Sequence, residues 1–541
     1  MKQNVGPPAS SRVFGKYVLL AIWIVVILSL LSYFAVGTAD QGVRVVMTAA
    51  ATVLLTLATF LWFAFWSNYR LRTRVRTSAI CMAAFAVLAL VVRVQGFTGG
   101  MFPSFRFVWQ TAPDHELVEP QPTPLAPARV DLLTTTPFDF PQFLGPQRNS
   151  TLDGIRIEPT WTERPPKLVW KQPIGAGWSS FSTVNGFAVT MEQRGDQELA
   201  TCYEVGTGRL RWASPITARH ETVLGGIGPR STPTIDEGRV YVLGATGVFR
   251  CLRGDDGTEL WRHDLVREFG GQPETDGQGV AWGRSGSPLV VDRSVIVPVG
   301  GPADGEQVTL VAYDKHTGGE IWRGGEYQVS YSSPVFATLA GQPQIVYVAQ
   351  DWVCGLSADD GTMLWNHAWP GPSTAQANVS QAIPIDGQRV LLSKGYGHGA
   401  ELIRLERSSS NVWQVHSEWR QSTLMKTKFS NVVAFGDFVY GLNDVRLECA
   451  DWRTGKRQWK SERYGYGQLL RVGPDLLVQS EFGNIALVAA NPDEYELRCQ
   501  FQGLSDKTWN VPCLYGRHLL VRNDREAACY ELDITEIEES N

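Results

Sequence analysis

The chain has 541 residues and a formal net charge of −5 at neutral pH. That length holds several ordinary domains or one large repeat domain, and the mild acidity, with no Lys/Arg block after residue 100, excludes the electrostatic footprint of a nucleic-acid binder. Glycine (53) and tryptophan (19) are abundant, which suits an all-β array of tight turns and large packing anchors.

Three apolar stretches precede residue 100. Tyr17–Val36 carries no charge and is long enough to cross about 30 Å of hydrocarbon. Val45–Trp66 is likewise uncharged. Ser78–Val92 reaches full length only if extended past Arg93 to about Phe97, with the arginine snorkelling at the helix end. Three transmembrane helices are therefore expected, at about 17–36, 45–66 and 78–97, in an anchor covering 1–99. Lys2, Arg12 and Lys16 precede the first stretch, and Arg70, Arg72, Arg74 and Arg76 lie between the second and third. The positive-inside rule then places the N-terminus and that link in the cytoplasm and everything after Gly99 outside. A cleaved signal peptide for the first stretch, or a re-entrant third, are the alternatives. Residues 100–139 form a Pro-rich linker (PQPTPLAP), read as an extended spacer.

From residue 140 to 541 the chain is repetitive. A Gly, three residues and a Trp recur at Gly208–Trp212, Gly257–Trp261, Gly318–Trp322, Gly361–Trp365 and Gly455–Trp459, with a degenerate copy ending near Trp419. Each follows a β-rich stretch and an Asp-Gly or Thr-Gly hairpin signal, so each unit reads as four short antiparallel strands. Self-similarity at this period predicts a radial array. Seven units fit: about Ser179–Ala213, Ser231–Arg262, Gly286–Arg323, Ser332–Asn366, Val379–Arg420, Phe429–Lys460 and Gln468–Phe501. An eighth begins at Trp509–Leu532 without its Trp strand, while Leu168–Lys171 is a Trp strand without its unit. The two fragments are predicted to pair and close an eight-bladed β-propeller, because closure removes exposed sheet edges.

Cys202, Cys251 and Cys449 each lie ten residues before their unit's Trp. A fixed place in successive sheets marks small buried residues and keeps the thiols too far apart to bridge. Only Cys499 and Cys513 are worth testing as a pair. Trp212, Trp261, Trp322, Trp365 and Trp459 read as packing anchors between blades.

The motifs LRGDDGTELW (Leu252–Trp261), SADDGTMLW (Ser357–Trp365) and AYDKHTGGEIW (Ala312–Trp322) resemble the pyrroloquinoline quinone (PQQ)-type propeller repeat of quinoprotein dehydrogenases and of BamB, a component of the outer-membrane β-barrel assembly machinery. The resemblance covers about Phe140–Leu532. In the dehydrogenases it implies PQQ on the propeller axis, calcium held by carboxylate and amide oxygens, an aspartate base and often a vicinal disulfide. Calcium needs six or more oxygens, carboxylates among them. The segments that open the innermost strands are WSSFST (178–183), GPRSTP (228–233), WGRSGSP (282–288), VSYSSP (329–334), ANVSQA (377–382), KTKFSN (426–431), YGYGQL (464–469) and TWNVP (508–512). None contains Asp or Glu, and no Cys-Cys pair occurs.

No catalytic residue, metal ligand or cofactor is therefore expected. Arg230, Arg284 and Lys428 fall at nearly equivalent offsets, beside Trp282, Tyr331 and Tyr466, and are expected to form a cationic rim for an anion or acidic peptide. His220 and His398, in Gly-rich loops, read as exposed loop residues. The expectation is a non-catalytic, multi-pass inner-membrane protein whose extracytoplasmic propeller is a protein-interaction or ligand-binding scaffold in the cell envelope, with envelope proteins as its partners. The alternative is a PQQ-dependent alcohol or sugar dehydrogenase feeding the membrane quinone pool.

Overall fold

The computed structural model describes residues 17, 19–27, 41–117, 130–373 and 376–537. The chain divides into two compact units, Met1–Thr111 and Ala112–Asn541.

In the first unit, α1 (Gln41–Trp66) and α2 (Leu71–Val91) are both long and apolar enough to cross a membrane. Residues 17 and 19–27 of the first expected span are helical, and its other residues, 18 and 28–36, lie outside the described residues. The third expected span differs from 78–97. Its helix begins at Leu71, so Arg72, Arg74 and Arg76 lie in its opening turns rather than in a link. Arg74 donates from Nε to the Ala64 carbonyl (2.9 Å) and from Nη2 to that of Phe65 (3.0 Å). A cation there satisfies carbonyls that the end of α1 leaves open. The helix stops at Val91 because the next residues extend. The strand β1 (Val92–Phe97) pairs antiparallel with β2 (Pro103–Phe107) across a turn containing Gly99 and Gly100.

The second unit is an eight-bladed propeller. Blade one comprises Ser182–Val184, Phe187–Arg194, Gln197–Glu204 and Leu210–Thr217. Blades two to six repeat this four-strand meander. Blade seven runs from Gln468–Val472 to Leu497–Gln502 and adds Thr151–Leu152 as a parallel fifth strand. Blade eight joins Cys513–Tyr515, His518–Arg522 and Glu526–Glu531 to Lys167–Pro173 from the start of the domain. Trp170 pairs with Cys529, in the register that Trp212 has with Cys202 and Trp459 with Cys449. The predicted ring closure is thus present.

The repeat motif has a mechanical reason. Each motif glycine sits at positive φ in its hairpin, and a Cβ there would strike the tryptophan ring of the preceding blade: Gly208 on Trp170, Gly257 on Trp212, Gly318 on Trp261, Gly361 on Trp322 and Gly455 on Trp419. At these five junctions only a glycine leaves room for the ring. Trp170, Trp212, Trp322, Trp419 and Trp459 each donate Nε1–H to a backbone carbonyl of the next blade at 2.7–3.2 Å. Trp365 instead donates to Gln344 Oε1 of its own blade (2.6 Å). All eight cysteines, Cys499 and Cys513 included, are free thiols.

Candidate functional site

The innermost strands meet at a hub with two unlike ends. All eight blade junctions are bridged by a side chain of one opening segment bonded to the backbone of its neighbour, six through a backbone N–H and two through Gln468. The Val511 N–H donates to Ser180 Oγ (2.7 Å), Ser180 to Thr232 Oγ1 (3.2 Å), Thr232 to Ser287 Oγ (3.0 Å) and Ser287 to Ser333 Oγ (2.9 Å). The Asn378 N–H donates to Ser330 Oγ (3.0 Å) and that of Gln381 to Asn431 Oδ1 (2.9 Å). Gln468 Nε2 then spans blades six to eight, donating to the carbonyls of Phe429 (2.8 Å) and Trp509 (2.7 Å). Every group in this ring is neutral. Buried polar atoms need partners, and here they supply them to one another.

At one end the ring is covered by the segment before the first blade. Phe140 bridges to Thr183, the Pro141 carbonyl accepts the Ile235 N–H, and Thr151 pairs with Arg471 of blade seven. Between them Arg148, 3% exposed, donates to the carbonyls of Pro334 (2.8 Å), Pro288 (3.0 Å) and Ser287 (2.5 Å) and to Gln142 Oε1 (3.2 Å). Its own carbonyl accepts from Gln381 Nε2 (2.6 Å). The fork geometry of a guanidinium suits this convergence of carbonyls from different blades. Burial pulls the Arg148 guanidinium down to about 9, still protonated near neutrality. The segment 140–152 is therefore a plug, fastened by a buried cation.

The opposite end is the mouth where the opening segments begin. The three basic residues singled out in the sequence do not share one role there. Arg284 is 4% exposed and turned inward, held by Asp276 Oδ1 (2.8 Å) and the Val299 carbonyl. Arg230 braces the hairpin of Glu221–Thr222 and Gly226–Ile227 through the carbonyls of Gly225 (2.8 Å), Gly226 (3.1 Å) and Gly228 (2.5 Å), and burial lowers its pKa to about 10. Trp282 stacks on Tyr331 (5.2 Å between centroids, 22°), whose hydroxyl accepts the Trp282 N–H and donates to the Ser373 carbonyl. These four residues build the wall of the mouth rather than offering charge to solvent.

Lys428, 5% exposed, is set among aromatic rings instead. Its ammonium lies between the rings of Tyr396 (4.9 Å) and Tyr466 (4.8 Å). Lys507, which the sequence reading passed over, lies between Trp178 (4.9 Å) and Trp509 (4.3 Å). Phe429 joins the two sandwiches, 4.7 Å from Trp509 and 6.0 Å from Tyr466. An arc of aromatic faces holding two lysines thus runs along one side of the mouth. Cation–π contact stabilises both ammonium groups, while burial lowers the Lys507 pKa. Glu481, 2% exposed, accepts from the Tyr466 N–H and Trp509 Nε1 (both 3.1 Å) and fixes the arc from behind. The available signal for Lys507 was position: it directly precedes the eighth opening segment.

His220 stands beside Gly283 and Arg230 with its pKa lowered to about 4, by burial first and the Arg230 charge second. His398 contacts Gln376 Oε1 (3.3 Å) and is likewise lowered to about 4 by burial. Among the described residues no group of three or more His, Cys, Asp or Glu is placed to hold a metal ion.

A family model described as outer membrane protein assembly factor BamB matches residues 163–301 and 245–491. No curated protein matches. Among solved structures, a europium-containing methanol dehydrogenase superposes with a TM-score of 0.55 at 11% identity, over 72% of this chain and 90% of that one. The quinohemoprotein alcohol dehydrogenase of Comamonas testosteroni gives 0.52 at 13% identity, over 74% and 81%. BamB from Moraxella catarrhalis gives 0.47 at 11%, over 68% and 97%. At these identities the two dehydrogenase structures share a fold with this chain and nothing finer.

Proposed function

We propose, on the premise that this chain belongs to the family of outer membrane protein assembly factor BamB, that it is a non-catalytic binding scaffold anchored in the inner membrane. Its propeller stands outside the cytoplasm and engages envelope proteins. The fold itself is common to scaffolds and to quinoprotein dehydrogenases, so the reading rests on the site.

One observation carries it: the hub is a closed ring of neutral hydrogen bonds with a buried arginine fastened across one end. A calcium–PQQ centre requires converging carboxylate oxygens, and those near the mouth are spent elsewhere. Glu481 buttresses the aromatic arc, Asp276 pairs with Arg284, and Asp524 faces Lys507 and Arg525. A guanidinium at the hub opposes a divalent cation there by charge. The residues present do not fit that cofactor.

The mouth supports binding instead. The aromatic faces and the two lysines set among them, Lys507 already beside Asp524, Glu481 and Asp506, suit a partner segment that combines apolar contact with acidic groups. The anchor reading draws on α1 and α2 and on the arginines at the start of α2, which the positive-inside rule assigns to the cytoplasm.

The test is to incubate the purified full-length protein with PQQ and Ca²⁺, pass it through a desalting column and assay dye-linked oxidation of alcohols and sugars. The scaffold reading expects no retained chromophore and no turnover. Retention with oxidation would establish the dehydrogenase reading in its place.

A further inference from the structure

The hairpin that follows α2 is amphipathic, and none of the described residues of its own unit covers its apolar side. Its register places Val92 opposite Phe107, Val94 opposite Phe105 and, past a bulge at Gly96, Phe97 opposite Pro103. Alternation along the strands puts these six residues on one face. The other face carries Arg93, Gln95, Ser104 and Arg106. The apolar face is open: Val94 is 50% and Phe105 61% exposed. Trp109, 70% exposed, extends it by stacking on Phe107 (4.8 Å, 2°). An isolated two-stranded hairpin is marginal in water, more so with its aromatic face wet.

The polar face has its own anomaly. Arg93 and Arg106 are directly opposed across the strands, and like charges in that position repel. Arg93 Nη1 donates to the Ala89 carbonyl (2.6 Å) and Arg106 Nη1 to that of Gln110 (3.1 Å). From Gln41 to Thr111 the sequence contains no Asp or Glu, so the described residues of this unit include no carboxylate for the pair.

Chain geometry says where the hairpin lies if α2 spans a bilayer, on which reading this inference rests. The 21 residues of α2 rise about 31 Å, the thickness of the hydrocarbon layer. Val91 then ends at the lipid–water boundary, and the strand begins at the next residue. We propose that β1 and β2 form an interfacial anchor. The hairpin lies flat in the headgroup region, sinks its Phe/Val face and Trp109 toward the acyl chains, and holds lipid phosphate between Arg93 and Arg106. Aromatic rings favour that depth, and guanidinium forks match phosphate oxygens.

The test uses nitroxide labels on the full-length protein in phosphatidylcholine–phosphatidylglycerol bilayers. Collision with oxygen reports lipid, and collision with a water-soluble nickel chelate reports water. Cys81 lies exposed on α2 and the other seven cysteines are buried, so the native thiol is the control. Phe105→Cys and Gln95→Cys, each with Cys81→Ser, report the two hairpin faces. The expected pattern is Cys81 deep in hydrocarbon, position 105 shielded from nickel about 5–10 Å below the phosphates, and position 95 nickel-accessible. Equal nickel access at 105 and 95, with Cys81 in lipid, overturns the interfacial hairpin alone. Cys81 in water overturns the spanning helix and the hairpin with it. In Arg93→Gln/Arg106→Gln, position 105 should move toward water; an unchanged depth refutes the phosphate contact.

Discussion

Arg148 offers the sharpest perturbation, because its side chain fastens the plug to blades three and four. Arg148→Met keeps most of the side-chain volume and removes all four donated bonds. Pro288 keeps a partner, since its carbonyl also accepts from Thr234 Oγ1 (2.6 Å). The carbonyls of Ser287 and Pro334 lose their guanidinium partner, at about 1–3 kcal/mol for each buried acceptor. Methionine also removes the desolvation cost of a guanidinium that no carboxylate offsets, so the net loss is put at about 3 kcal/mol. Denaturant unfolding of the full-length protein would show a lower midpoint at unchanged slope. Hydrogen exchange gives the local readout. The Ser150 amide, bonded to the Leu144 carbonyl, and the Arg471 amide, bonded to that of Ser150, should lose protection before the blades do. Stability within about 0.5 kcal/mol of the parent, with exchange unchanged at both amides, would refute the view that this arginine fastens the plug.

The glycine–tryptophan lock predicts that Gly257→Ala costs about 2–4 kcal/mol, from left-handed φ plus a Cβ 2.6 Å from Trp212 Cε3. Gly186→Ala, with φ of +81° and no atom within 4 Å, should cost about 1–2 kcal/mol; equal losses in thermal melts would rule the lock out. Trp170→Ala should destabilise by about 3 kcal/mol and expose the stretch near residues 158–166 to limited proteolysis, since this ring closes blade eight; an unchanged digestion pattern would argue against ring closure there. For Glu192, burial acts to raise the pKa, but Arg194 and Arg522 with Thr201 and Tyr203 hold it below the usual carboxylate value of 4.5. A depressed folded-state pKa adds stability above the unfolded value and loses it as pH falls through the folded one, so the parent should weaken below about pH 4.5. Glu192→Gln should be less stable at neutral pH with a flatter acid limb, and an identical limb would show that this carboxylate is not the source. At the mouth, an oligoglutamate peptide should raise the melting temperature of the parent but not of Lys428→Gln/Lys507→Gln. Arg230→Ala/Arg284→Ala should lower the baseline and keep the shift; the reverse pattern would restore those arginines as the ligand-facing pair.

The ring architecture was legible because its causes are local and repeated. A glycine in the hairpin and a tryptophan four residues on recur in blades one to four and six, where the preceding blade's tryptophan seats on that glycine, and the orphan strand at Trp170 advertised the missing part of blade eight. The neutral hub was legible too, since the absence of acidic residues from the openings is a property of sequence. The roles of the rim were not. Arg230, Arg284 and Lys428 occupy equivalent offsets, yet Asp276 and the glycine carbonyls that absorb the first two lie on loops whose course no periodicity encodes. Lys507 escaped notice because its aromatic partners, Trp178 and Trp509, come from opposite ends of the domain. The third apolar stretch was misplaced by composition: Val92, Val94 and Phe97 look like the end of a span, but β-branched residues alternating with Arg93 and Gln95 extend into a strand.

The account depends most on a hub that closes by its own neutral hydrogen bonds and a buried arginine, with no divalent ion in the ring. Ligands that bind the folded state raise its melting temperature by mass action, so the decisive measurement is the thermal unfolding of the full-length protein in millimolar Ca²⁺ and again in excess EGTA. The account predicts superimposable transitions. A lower midpoint in EGTA, restored by added Ca²⁺, would contradict it.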